Sequence, residues 1–582
     1  MTAPAGVASN DAVLFQIARA RLGGIVQEMQ SSLFRSGYST VIRESQDASC
    51  ALLTPDGRVM AQHVVLPLHI GAFPACCAAV LKAYAGDIRL GDAYVLNHTY
   101  DGGSPHAPDM AVLVPVFSGA ALVGFSASMA HKSDIGGPVP GSCWSRATDV
   151  FAEGLQLPAL RLERGGIAER DLERVIAANS RSPHLVLGDL RAQVGAGRLG
   201  ERRLLEVVRR YGAEMLSWYS SEVLVATRRR IAGALALWPD GTASATRFID
   251  DDGVDLGKPV KVAVRVVKSG PDLEFDFSGS DPQTRGPANI RPPLLRAACA
   301  YVVMALVGAD TYVNSGLLDS FTVRSEEGSV VDSRFPAPVN TYNPTVHAVV
   351  DAAFDALTQI LDVGGMADGC ASRSFVLKSS GDHPVQYEIL GGGAGALAGA
   401  DGRSGTTVNH TNGRITPVEV VETEYPVRVL ETSLVPDSGG GGRNRGGLAI
   451  RRSYRVLERS QLSLRSTRHR IPPAGADGGD PGGRGRMTLV RATGETLELP
   501  ARCSGVDLDP GDGFVLDTPG GGGYGAARAR DPLLVAADVE AGYVSVGAAR
   551  RVYGVAVSVG ADGSAVVVAP ETTRLRESEV VL

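Results

Sequence analysis

The segment Asn97 to Gly137 holds the residues whose types and spacing best suit chemistry. Asp101-Gly102-Gly103-Ser104-Pro105-His106-Ala107-Pro108-Asp109 is a loop by composition, with proline on both sides of the histidine. Proline removes an N–H and clashes with the preceding helical turn, so His106 and Asp109 do not share a regular helix face. A stiff proline loop can instead hold an imidazole and a carboxylate towards one point, a donor set that divalent metals take. Further on, Ala130-His131-Lys132-Ser133-Asp134-Ile135-Gly136-Gly137 closes a strand-like run, which sets His131 at the strand's mouth. Two histidines and one carboxylate leave coordination positions open for water and substrate. Glu44 or Asp47, in Arg43-Glu44-Ser45-Gln46-Asp47, is a candidate further oxygen ligand or proton acceptor.

Spacing alone leaves other readings open. The chain has 10 histidines, and two on neighbouring loops also fit ordinary hydrogen-bonded positions. The Glu44/Asp47 pair also fits a solvated turn. His63 and His69 are flanked by apolar residues and read as structural. No G-x-S-x-G elbow occurs, and no cysteine sits in a nucleophile motif. Gly393 to Ala398 loosely fits a dinucleotide fingerprint after the strand-like Val385 to Leu390. It leads into Asp401-Gly402-Arg403-Ser404-Gly405 rather than into the amphipathic helix whose N-terminus would bind pyrophosphate, so a turn is expected. No G-x-x-x-x-G-K-[ST] loop is present, so the chain carries no recognisable ATP site of its own.

The elements that must position these residues follow from periodicity. A helix is expected over Asp11 to Ser32, capped by Asn10 or Asp11. Strands are expected at Ser39 to Ile42, Ser49 to Thr54, Arg58 to Ala61, Tyr94 to Asn97, Ala111 to Phe117 and Leu122 to Met129. Pro55-Asp56-Gly57 marks a hairpin turn. Helices return at Gly165 to Asn179 and Leu185 to Ala226, then at Pro287 to Val307 and His347 to Val363. A hairpin pairs Val260 to Val267 with Leu273 to Phe277. Beyond Gly391, short β runs alternate with glycine-rich turns. The expected fold is therefore mixed α+β and multi-domain. An N-terminal α/β portion carrying the metal site spans 1–240, a middle α/β portion 241–390, and a β-rich, glycine-rich portion 391–582.

The 582 residues exceed a single core. With 44% hydrophobic and 21% charged residues, the balance is that of a soluble enzyme. The net charge of −6 gives no general footprint for nucleic acid. Met1 to Asn10 lacks a secretory leader pattern, and the longest apolar run, Leu294 to Ala309, is broken by Arg296 and too short to span a membrane. Seven cysteines without a C-x-x-C pair fit buried thiols in a reducing compartment. A cytoplasmic location is expected.

At the chemistry-bearing residues the chain resembles the hydantoinase B/oxoprolinase family, which includes N-methylhydantoinase B subunits and the large subunits of acetone-carboxylase-type enzymes. The matching segments run in order: Ile42 to Leu52, Tyr100 to Asp109, Ala130 to Gly137, Pro140-Gly141-Ser142, Glu153 to Pro158 and Gly188 to Gln193. Asp276 to Gln283, Glu424 to Val427 and Thr518 to Gly525 complete the series. The resemblance implies a divalent metal, manganese or zinc, on residues matching His106, Asp109 and His131, with Glu44 as a further ligand. It also implies a hetero-oligomer with an A-type ATPase subunit of actin/hexokinase-like fold, which uses ATP to phosphorylate a small-molecule substrate. The expected activity is ATP-dependent hydrolysis of a lactam or hydantoin. A ketone carboxylase subunit and a non-catalytic scaffold are the alternatives. Two departures stand out: Asn97-His98-Thr99-Tyr100 replaces the family's Asn-Asp-Pro-Tyr, and Lys132 stands where many members carry a second histidine. Lys132 either faces away from the metal as a structural residue, or swings into the pocket to bind an anionic group; the turn after His131 favours the second.

Overall fold

The computed structural model describes residues 11–577 apart from 64, 65, 309, 310, 372 and 410. The expected Asn10 cap and the N-terminal decapeptide lie outside the described residues. The chain opens with α1 (Asp11–Ser36) and a helical turn, α2 (Thr40–Arg43). Thr40, Val41 and Ile42 are β-branched, which is why their sequence predicts a strand. Instead Asp189 Oδ1 accepts the Tyr38 and Ser39 N–H groups at 2.7 and 3.1 Å and holds the backbone in a turn.

A seven-stranded antiparallel sheet comes next, in the order β2-β1-β5-β4-β3-β6-β7. Its strands are β1 (Ala48–Leu53), β2 (Val59–Gln62), β3 (Ala93–Leu96), β4 (Asp109–Ser118), β5 (Ala121–His131), β6 (Leu160–Arg164) and β7 (Ile167–Ala168). The first five lie close to the expected runs. The β4–β5 hairpin is central and has both faces covered. Alternate side chains explain how. Ala111, Leu113, Ala127 and Met129 pack on Phe73, Cys76 and Cys77 of α3 (Ala72–Ala83). Met110, Val112 and Val114 pack on Val186, Leu190 and Val194 of a long helix on the other face. The Ala- and Cys-rich α3 has no polar stripe and carries no helical signal in the sequence.

Two short helices, α4 (Thr99–Gly102) and α5 (Arg170–Ala178), flank the sheet. The helix expected from Gly165 begins later because Gly165 and Gly166, at φ 57° and 85°, turn the β6–β7 hairpin. The single helix expected over Leu185 to Ala226 is two, α6 (Pro183–Tyr211) and α7 (Ala213–Leu235), parted at Gly212 with φ 88°.

The second sheet, β11-β10-β9-β8, comprises β8 (Gly241–Ile249), β9 (Val260–Ser269), β10 (Asp272–Asp276) and β11 (Thr322–Arg324). The expected β9–β10 hairpin is present. Val262, Val264 and Val266 of β9 share a core with α8 (Pro292–Val307), α9 (Ser315–Leu318) and α10 (Asn343–Leu361).

Two further sheets build the rest. One runs β13-β12-β16-β19 and the other β14-β15-β20-β17-β18. They use β12 (Arg373–Ser379), β13 (Gln386–Leu390), β14 (Val427–Leu434), β15 (Ile450–Val456) and β16 (Ser460–Arg465). The remaining strands are β17 (Arg486–Val490), β18 (Thr496–Leu499), β19 (Arg502–Leu508) and β20 (Gly513–Asp517). The first of these sheets joins strands from both sides of residue 390. Its core, with Phe375, Leu464, Tyr454 and Phe514, is shared with the second. Helices at Pro532–Glu540, Val546–Tyr553 and Ala569–Glu577, for which the sequence gives no clear signal, close the chain.

The glycine clusters are not mainly turns. Gly447 N bonds Ala394 O and Gly521 N bonds Gly447 O, both at 2.9 Å, so three glycine-rich segments lie backbone against backbone. A Cβ on Gly521 would sit 1.9 Å from Ala394 O, and one on Gly520 1.7 Å from Ser438 O. Side chains are excluded by close approach rather than by φ. Among the described residues, no helix is long and apolar enough to cross a membrane.

Candidate metal centre

His131 ends β5 and Asp109 begins β4, and the two are direct cross-strand partners. Cross-strand partners point to the same face, so the pairing register alone sets imidazole beside carboxylate. The Pro105–Pro108 loop brings His106 over them. His106 Nε2 lies 3.2 Å from His131 Nδ1 and 3.2 Å from Asp109 Oδ1, and His131 Nδ1 lies 3.1 Å from Asp109 Oδ1. All three residues are buried. Donors bonded at about 2.0–2.1 Å stand roughly 3.3–3.4 Å apart on a tetrahedral centre and ~2.9–3.0 Å apart on an octahedral face. The observed triangle has this size.

Its surroundings match a cation. His106 Nδ1 meets Asn340 Oδ1 at 2.8 Å, which places the proton on Nδ1 and leaves the Nε2 lone pair facing the triangle. Burial pulls His131 down to about 3, so its imidazole is neutral. Burial acts to raise the Asp109 carboxyl, but positive charge and N–H donation from His106, then hydrogen bonds from His131 and His69, outweigh it and hold it well below the usual range. A cation would take over that role where the imidazoles present lone pairs instead. Neutral imidazole and ionised carboxylate are the forms a metal binds. His131 Nε2, Asp109 Oδ2 and His69 Nε2 are buried without hydrogen-bond partners. Asp47 lines the same cavity, and its backbone carbonyl accepts the His131 N–H at 3.2 Å. Burial first and the Asp109 charge second push its carboxyl up to about 7.

The sequence model of the hydantoinase B/oxoprolinase family matches residues 11–527. This chain belongs to the hydantoinase B/oxoprolinase family. A protein of Pseudomonas sp. (strain NS671) assigned as the B component of a D-/L-hydantoinase is 30% identical over 568 residues, 94% of this chain and 95% of its own. The ATP-dependent caprolactamase from Pseudomonas jessenii superposes with a TM-score of 0.90 at 26% identity, covering 98% of this chain and 100% of that one. Acetone carboxylase in its nucleotide-free structure superposes with a TM-score of 0.91, covering 99% of this chain and 84% of that one. At 18% identity the latter likeness shows the fold alone.

Within this hydantoinase B/oxoprolinase chain, the other residues singled out from sequence fall in different places. Glu44 is not brought to the triangle: it caps α2 and pairs with Arg43 Nε at 2.9 Å, a quarter exposed. Asp47, three residues on, lies inside. His98 caps α4, accepting Asp101 N–H at 3.1 Å and facing Phe335. His63 is half-buried away from the triangle, whereas His69, read as structural, stands 3.9 Å from Asp109 Oδ2 and meets Ser49 Oγ at 2.9 Å. Its apolar neighbours fix its burial and say nothing of what its ring faces.

Lys132 corrects the favoured expectation. β5 does end at His131, but Lys132 is fully buried and its ammonium donates to Gln193 Oε1 on α6, on the opposite face of the sheet. Asp134, two residues on, pairs instead with Arg181 at 2.9 Å. Lys132→Met is therefore expected to leave metal content and KM unchanged. Stability should shift by about 1–3 kcal/mol, because Gln193 Oε1 loses its donor. A raised KM with unaltered thermal stability is the result that would restore a pocket role.

Functional residues missed from sequence are Asn340, Tyr342, Tyr387, Arg373, Arg465 and Arg502. All but Asn340 line the cavity, of about 40 Å³, over the triangle. Tyr342 packs edge-on against His106 at 4.9 Å and Tyr387 against His131 at 4.5 Å, and Arg465 Nη1 reaches Asn340 O at 3.2 Å. None sits in a local motif. They arrive from segments 200 or more residues downstream of His131.

Proposed function

We propose that this chain is the metal-binding B-type subunit of an ATP-dependent cyclic amidase, opening a lactam or hydantoin ring activated by a separate A-type ATPase subunit. The observation that carries this reading is the buried His106–Asp109–His131 triangle facing an enclosed cavity. Support comes from family membership, from the D-/L-hydantoinase relative, and from the caprolactamase matched along its whole length.

His106, Asp109 and His131 would hold manganese or zinc, with Asp47 in the place expected for Glu44 as the further oxygen donor. A divalent cation there supplies Lewis acidity, polarising a carbonyl oxygen or water. The chain's own residues do the rest. Asn340 fixes the His106 tautomer, and Arg465 holds Asn340. Tyr342 and Tyr387 wall the imidazoles and keep bulk water out, which strengthens every charge interaction inside. An unactivated lactam is a poor electrophile, which is why phosphorylation by a partner belongs to this reading.

The test is product analysis with the co-purified pair, metal and ATP, against lactams, hydantoins and ketones with and without bicarbonate. A ring-opened acid formed at the same rate in both conditions is expected. ATP turnover that requires bicarbonate and a ketone would replace the amidase by a carboxylase.

A further inference from the structure

The cavity is lined by Asp47, His106 and His131 on the metal side and by three arginines from strand ends. β12 begins on Arg373, β16 ends on Arg465 and β19 begins on Arg502, and all three arginines line the cavity. They are 1%, 7% and 3% exposed. Arg465 and Arg502 are direct cross-strand partners, an arrangement of like charges that destabilises a sheet.

Their hydrogen bonds leave donors over. Arg465 is engaged with Asn340, Ser374 and the Tyr387 hydroxyl. Among the described residues Arg373 gives only Nη2, to the carbonyl oxygens of Cys370 and Thr467 at 3.1 Å each, while its Nε and Nη1 have no partner. Arg502 gives Nη1 to Asp251 O at 2.7 Å, and its Nη2 has no partner. The acids near Arg502 are already occupied by backbone N–H groups. Asp250 accepts His469 and Ile471 N–H, Asp251 accepts Gly253 N–H, and Asp252 accepts Gly286 N–H. Buried ion pairs among the described residues use other arginines, such as Arg452 with Glu388 and Arg468 with Asp351. Burial pulls the Arg373 guanidinium down to about 9, so it stays charged at neutral pH. Among the described residues neither Arg373 nor Arg502 forms a direct ion pair; the Asp250, Asp251 and Asp252 charges offset them only from beyond ion-pair distance. A buried guanidinium without a direct partner is costly to maintain. Three unpartnered N–H-bearing nitrogens, two from one arginine and one from another strand, suit the several oxygens of a tetrahedral anion. The cavity over the triangle has room for an oxyanion head beside these nitrogens.

We propose that Arg373 and Arg502 form a phosphate subsite that receives the phosphoryl group of the activated substrate and holds inorganic phosphate after its release. The arginines make and break no bonds; they bind the group beside the metal triangle. The proposal rests on the function proposed above and adds the residues that read the phosphate.

Titration calorimetry of the metal-loaded full chain with inorganic phosphate tests it, with acetate as a carboxylate probe and metal content measured on each sample. One phosphate per chain is expected, weakened about 10–100-fold in Arg373→Gln and in Arg502→Gln with metal retained. Arg502→Lys, which keeps the charge and the fold if Arg373→Gln fails to fold, should recover part of the affinity. Equal phosphate affinity in wild type and both glutamine variants would overturn the subsite. So would acetate binding as tightly as phosphate, which would make it a carboxylate site. Phosphate binding that depends on the arginines in a chain unable to hold metal would keep the subsite and sink the metal reading instead.

Discussion

Replacing His106 or His131 by alanine is expected to empty the chain of metal while leaving it folded. The two imidazoles supply two of the three donors in a triangle with edges of 3.1–3.2 Å. With one removed, a single imidazole remains beside Asp109 and Asp47, a donor set short of one neutral nitrogen and weighted towards two buried carboxylates. Loss of a residue that merely orients a metal ligand costs about 10–100-fold in affinity, so loss of a ligand itself should exceed that. The fold should survive because His131 sits at the end of β5 and His106 in the loop before β4, outside the apolar layers that hold β4 and β5 between α3 and α6. Elemental analysis beside circular dichroism reads both quantities at once. Full metal occupancy in the double variant would reduce the triangle to a hydrogen-bonded His–His–Asp cluster, which its distances also permit.

The second large effect is dependence on a partner. Alone, the chain should neither bind ATP tightly nor hydrolyse it, since no phosphate-cradling loop with its lysine occurs in the sequence. The glycine stretches that come nearest to one are closed to it: Gly393, Ala394, Gly446, Gly447, Gly520, Gly521 and Gly522 all spend their N–H groups on backbone carbonyls. An anion cradle needs those N–H groups free. Co-expression with an A-type ATPase subunit should give a stable complex burying more than ~1,000 Å², and ATP hydrolysis should appear only with that complex. Robust turnover by the purified chain, lost in a variant of the chain purified in the same way and so not due to a contaminating ATPase, would overturn the division of labour.

The elements around the centre were legible because they carry local signals. The alternation in β4 and β5 and the Pro55-Asp56-Gly57 turn depend on residues a few positions apart. So does the proline-held loop that presents His106. The same locality misled at Thr40 to Ile42, where β-branching suggested a strand and a hydrogen bond from Asp189, about 150 residues away, imposed a turn. It misled again at Lys132, where a break after His131 suggested freedom, although the residue is packed against α6.

The sequence by itself pointed to the candidate donors, two histidines and one aspartate near strand ends, and through its ordered motifs to the family to which the chain belongs. Tertiary structure decided between Glu44 and Asp47. Both are carboxylates in one short turn, and only the pairing of β1 with β5 sets Asp47 beside His131 while Glu44 turns outward to Arg43. It also brought up the opposite wall, with Asn340 on His106 and the arginines of β12, β16 and β19 over the triangle. Those residues come from hundreds of positions downstream, where a single arginine in a strand looks like any other. Strand register and the packing of one sheet's ends against another's turn scattered charges into a site, and neither is written in local spacing.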